Sequence, residues 1–66
     1  MSILKVIEVL ASSNKSWENA VENAVEKASK SVDHVKSAFV QSQSVAVKDG
    51  KVDEYRVNVK VTFEVK

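Results

Sequence analysis

Tyr55-Arg56-Val57-Asn58-Val59-Lys60-Val61-Thr62-Phe63-Glu64-Val65 is the stretch on which the fold turns. Tyr55, Val57, Val59, Val61, Phe63 and Val65 alternate without a break with Arg56, Asn58, Lys60, Thr62 and Glu64. Successive side chains of a strand point to opposite faces, so the alternation predicts one strand with an apolar and a polar side. Just upstream, Asp49-Gly50 reads as a tight hairpin turn, because the two-residue turns that suit twisted strands need residues that accept positive φ. The segment Val35 to Lys48, carrying Phe39, Val40, Val45 and Val47, is then the antiparallel partner. A two-residue loop sets Lys48 opposite Lys51, and the same register puts Ser44 opposite Tyr55, Gln43 opposite Arg56 and Val40 opposite Val59. Opposed residues share a face. Ala38, Val40, Ser42 and Ser44 are therefore expected on the apolar side, and Ser37, Phe39, Gln41 and Gln43 on the polar side with Thr62, Lys60, Asn58 and Arg56. A β-bulge in this strand would shift its far half by one residue.

Working toward the N-terminus, the period changes. Trp17, Ala20, Val21, Ala24, Val25, Ala28 and Val32 recur at helical spacing and form one apolar stripe, which predicts a helix from Ser16 to about residue 32. Ser16 suits the N-cap, Glu18 meets the positive end of the helix dipole, and Lys27 and Lys30 lie toward its negative end. Before the helix, Ile3 to Leu10 is rich in β-branched residues and gives way to the polar cluster Ser12-Ser13-Asn14, the pattern of a strand followed by a break. Leu4, Val6 and Leu10 fall on one face of this strand and Ile3, Ile7 and Val9 on the other. A strand apolar on both sides is usually covered on both sides. One helix covers only one side of a three-stranded sheet, so the second cover is expected from another copy of the chain. The predicted fold class is α+β: a single domain over residues 1–66, β-α-β-β in order, with a three-stranded antiparallel sheet wrapped around one helix.

A chain of 66 residues is short of core, since a domain of about 60 residues buries only about 60% of the surface its unfolded chain exposes. Disulfides, metals or self-association usually make up the deficit, and the chain has no Cys. Self-association is the expected route. Ten Lys and Arg against nine Asp and Glu leave a net charge of +1, far from the concentrated basic surface that neutralises nucleic acid. The apolar stretch from Ile3 to Ala11 is interrupted by Lys5 and Glu8, too short and too charged for a membrane span or a leader core. A soluble, cytoplasmic protein without nucleic-acid or membrane partners is expected.

Few residues carry catalytic chemistry. Asp33 and His34 are neighbours in sequence, which says nothing of triad geometry, and no second His or Cys accompanies His34 as a metal ligand. No phosphate-cradling glycine loop or paired carboxylate site is present, so an enzyme is not expected. Trp17, on the helix stripe, reads as a packing anchor. Glu18, Glu22 and Glu26 form an acidic line along the helix, with Glu26 spaced to pair with Lys30. That line is either a solvated face or, if symmetry converges copies of one carboxylate on an axis, a site for a hard cation such as Ca²⁺ or Mg²⁺. The polar face with Gln41, Gln43, Arg56 and Asn58 reads either as a hydrogen-bond network between subunits or as a ligand surface, where Arg56 suits bidentate recognition of phosphate or carboxylate.

Taken in order, Lys5-Val6-Ile7-Glu8, Ser16-Trp17-Glu18-Asn19-Ala20, the run Ala24 to Ser31, Asp49-Gly50-Lys51-Val52-Asp53-Glu54-Tyr55-Arg56-Val57 and Val61-Thr62-Phe63-Glu64-Val65 resemble a dodecin over essentially the whole chain. The resemblance implies a helix cradled by three strands, twelve subunits closing into a hollow shell, and a role in storing flavin rather than in catalysis. In flavin-binding dodecins a second-strand Trp stacks on the isoalloxazine ring and a third-strand Gln binds its polar edge. Those positions are Ser37 and Arg56 here. Ser37, Gln43 and Arg56 are the ligand-binding candidates by family position, with a flavin, FMN or riboflavin, as ligand. Another branch shares the Ser-Trp helix start and the Tyr-Arg pair and is linked to calcium. That branch implies the alternative function, a structural or cation-binding shell that does not hold flavin.

Overall fold

The computed structural model describes residues 2–66. Strand β1 (Ile3–Ser13) leads into helix α1 (Trp17–Ser31), followed by the hairpin of β2 (Val35–Lys48) and β3 (Lys51–Val65). The sheet is antiparallel in the order β1-β3-β2, so the strand with unbroken alternation is the central one. The β-α-β-β architecture is the one the sequence predicts. Its central strand is also where the core concentrates: Val57, Val59 and Val61 are buried against Ala20, Ala24 and Ala28 of the helix. Ile7, Val9, Ala11, Trp17, Val21 and Val35 close around them. Burying each valine side chain contributes roughly 1.5–3 kcal/mol, and alanines on the facing helix stripe let the two elements approach closely.

The helix begins where the sequence places it. Ser16 is extended and its hydroxyl accepts from the Asn19 N–H at 3.0 Å, satisfying one of the orphan donors of the first turn. Glu26 and Lys30 pair across one turn at 3.8 Å on the exposed side. After the helix, His34 takes a φ of 62° and its carbonyl accepts from the Glu64 N–H, so the reversal into β2 is tied to the far end of β3. At the hairpin, Asp49 and Gly50 have φ of 53° and 75°, the left-handed pair that a two-residue turn of this twist requires.

Two expectations change. Strand β1 does not stop before Ser12: it runs on through Ser13, pairing Ser12 with Arg56 and Ser13 with Tyr55. Ser13 is buried, and its hydroxyl donates to Asn19 Oδ1 at 2.6 Å and accepts from the Lys15 N–H at 2.9 Å. The polar side chain thus ends the strand by capping the loop from inside the ladder. The second change is register. The expected pairing holds at Lys48–Lys51 and from Val40–Val59 to Ser37–Thr62, but between them Asp53 of β3 and Gln41 of β2 are each one residue in excess. The stretch enclosed by these two bulges is displaced by one residue: Ser44 opposes Arg56, Gln43 opposes Val57 and Ser42 opposes Asn58. Since a slip of one residue exchanges the two faces of a strand, Ser42 and Ser44 lie on the side away from the helix and Gln43 on the helix side, the reverse of the expectation.

Candidate functional site

The side of the sheet away from the helix has no cover within the chain. On β1 it presents Leu4, Val6, Glu8, Leu10 and Ser12, on β3 Glu54, Arg56, Asn58, Lys60, Thr62 and Glu64, and on β2 Ser37, Phe39, Ser42 and Ser44. Leu4 and Val6 are 56% exposed, Phe39 66% and Leu10 77%, which is the two-sided character read from β1. At one end of this face lies an open concavity of about 450 Å³, lined by Leu10, Ala11, Ser12, Ser42, Ser44, Arg56, Val57 and Asn58.

Each wall has a local origin. The continuation of β1 carries Ser12 alongside Arg56, and the Gln41 bulge turns Ser42 and Ser44 toward the same space. Trp17 steadies this strand from behind: its indole N–H donates to the Ser44 carbonyl at 3.0 Å, and its ring meets Tyr55 edge-on at 5.1 Å and 74°. Trp17 is the packing anchor the helix stripe implies, with a second duty toward a cavity-lining residue. The Arg56 Nε donates to Glu54 Oε1 at 3.1 Å. That single contact fixes the guanidinium by one edge. Asn58 carries a buried Oδ1 with no donor among the described residues, and an acceptor left so costs of order 1–3 kcal/mol.

The three ligand candidates are not gathered in one place. Arg56 lines the concavity, whereas Gln43 stands opposite Val57 on the helix side. Ser37 opposes Thr62, six residues along β3 from Arg56, a separation of about 20 Å at 3.3 Å per residue. Glu18, Glu22 and Glu26 stay on the exposed side of the helix, and among the described residues no three acidic or histidine side chains converge on a single cation position. Leu10, Ser12, Ser42 and Ser44 were not legible as site residues. Ser12 lies in a polar cluster that reads as a loop, and the two serines owe their direction to a bulge.

The family model of the dodecins matches residues 3–66. This chain belongs to the dodecin family. It is 38% identical over 66 residues to the calcium dodecin of Mycobacterium tuberculosis, covering all of this chain and 93% of that protein. A crystal structure of that calcium dodecin, described as calcium-chelating and as having a novel calcium-binding site, superposes with a TM-score of 0.85 at 39% identity over 98% of this chain and 93% of that one. The dodecin of Streptomyces coelicolor superposes with a TM-score of 0.94 at 28% identity, over the same shares of the two chains. Dodecin membership accounts for the β-α-β-β order and for the single helix on one side of the sheet. In this dodecin no helix among the described residues is long and apolar enough to cross a membrane.

Proposed function

We propose that this dodecin is a non-catalytic binding protein that closes into a homo-dodecamer and holds a phosphate-bearing ligand of the flavin class on its uncovered sheet face. The observation that carries the reading is Arg56: it lines the concavity, is held only through Nε by Glu54, and keeps both terminal nitrogens free of partners among the described residues. A guanidinium in that state presents the paired donors that suit a phosphate. Ring recognition is weak in this reading, because Ser37 offers no stacking surface and Arg cannot accept a hydrogen bond from a ring N–H. The distance between Ser37 and Arg56 within one subunit means that a ring touching both positions takes them from different subunits.

The absorption spectrum of the purified protein, followed by fluorescence-quenching titrations, tests this. FMN is expected to bind more tightly than riboflavin. Ser37→Trp is expected to strengthen riboflavin binding by roughly tenfold, the equivalent of about 1.4 kcal/mol of recovered stacking. Riboflavin bound by the unmodified chain as tightly as FMN would overturn the reading.

A second reading, a calcium-binding shell, is supported by the 38% identity to a calcium dodecin. It requires that carboxylates such as those of Glu18, Glu22 or Glu26 meet across subunits. Calcium titration by calorimetry separates the two readings: calcium uptake without any flavin binding selects the shell.

A further inference from the structure

Resting on the reading that the uncovered face binds a ligand, we propose that the concavity beside Arg56 is a site for a small hydroxylated phosphate, a sugar or polyol phosphate, and that no aromatic ring enters it. Its lining contains no aromatic side chain: the residues are Leu10, Ala11, Ser12, Ser42, Ser44, Arg56, Val57 and Asn58. Phe39 shares the face but lies opposite Lys60, beyond the bulge. What the lining does contain is hydroxyl chemistry. Ser12, Ser42 and Ser44 come from both flanking strands, and among the described residues none of the three hydroxyls has an intramolecular partner. Each both donates and accepts, which matches the hydroxyl groups of a sugar.

The charged element stands to one side. Arg56 reaches the concavity with its Nε tied to Glu54, so its terminal nitrogens take the phosphate while the serines take the hydroxyls. Asn58, on the central strand between Leu10 and Ser42, adds an amide to the lining, its buried Oδ1 without a donor among the described residues. The volume of about 450 Å³ falls within the ~300–1,000 Å³ of small-molecule sites, and Leu10 forms its one large apolar wall.

Trp17 provides the measurement. It is the only Trp in the chain, and its indole bonds the carbonyl of Ser44, a wall residue, so its emission reports occupancy of the concavity. Titration of the assembled protein with ribose 5-phosphate, ribose and inorganic phosphate is read by Trp17 emission and by calorimetry. Ribose 5-phosphate is expected to bind at least about tenfold more tightly than either fragment. Arg56→Gln is expected to weaken ribose 5-phosphate by roughly tenfold or more and to leave the weak ribose signal in place. Ser42→Glu sets a carboxylate among the lining residues without adding a second Trp, and is expected to abolish ribose 5-phosphate binding by repelling the phosphate. Light scattering confirms that each variant keeps the size of the parent assembly. Binding of ribose 5-phosphate no tighter than that of phosphate, or unaffected by both variants, overturns the proposal. FMN bound without any response to ribose 5-phosphate overturns it too, while leaving the broader binding role standing.

Discussion

Glu64 is the residue at which charge and position are most closely coupled. Its side chain is only 17% exposed, and it pairs with Lys66 at 3.2 Å and Lys36 at 3.7 Å. A hydrogen bond from Ser2, then one from Lys66, holds its carboxyl below the ordinary value of 4.5, with Lys36 and His34 adding attraction and partial burial opposing it. A carboxylate with a lowered pKa in the folded state stabilises that state above its unfolded pKa, and the contribution is lost as pH falls through the lower, folded value. The stability gap between the parent and Glu64→Gln, measured by urea unfolding at fixed protein concentration, is therefore expected to be full at neutral pH and to shrink below about pH 4.5. A gap independent of pH would show that Glu64 acts through packing alone.

At the scale of the element, the helix is defined by how little it places between itself and the sheet. Ala20, Ala24 and Ala28 are 0%, 1% and 3% exposed and rest on Val57, Val59 and Val61. Interiors are packed as densely as organic crystals, so a larger side chain at Ala24 has nowhere to go. Ala24→Leu is expected to destabilise the protein by about 1–3 kcal/mol despite the higher hydrophobicity of Leu. Asn23→Ala, one residue away on the exposed side, is expected to change stability by less than about 0.5 kcal/mol. Thermal unfolding of the two variants checks both. Equal effects would mean that the small-residue stripe does not set the helix–sheet distance.

For the whole molecule, the uncovered side of the sheet is the dominant fact. Leu4, Val6, Leu10 and Phe39 are more than half exposed in a chain of 7.3 kDa, and a domain this small lacks the core to tolerate that as a monomer. Size-exclusion chromatography with light scattering is expected to give a closed assembly, with twelve copies as the expected number from the family. A folded monomer at micromolar concentration would contradict it. Melting with and without a chelator then separates the roles of bound cations: ions that hold subunits together stabilise by mass action, and their removal is expected to lower the midpoint. An unchanged midpoint and size would count against the calcium reading.

Much of this protein is written locally. The alternation from Tyr55 to Val65, the Ser16 cap and the Asp49-Gly50 turn each depend on residues close together in the chain, so their patterns survive in the sequence and specify the elements. The order of those elements, with the motifs along them, was enough to point to the family. The composition of the candidate site is another matter. Whether Gln43 or the Ser42 and Ser44 pair faces the open side depends on the excess residues Gln41 and Asp53, ordinary polar residues with no bulge signature. A bulge is a compromise reached by the whole hydrogen-bond ladder, between a tight turn at one end and, at the other, the pairing of Val40 and Ala38 with the buried Val59 and Val61. The extension of β1 to Ser13 and the orphaned acceptor on Asn58 are settled in the same way. Periodicity and composition determined the elements, while the non-local pairing of three strands decided which side chains line the concavity, because a one-residue slip costs little locally yet exchanges the faces of everything it encloses.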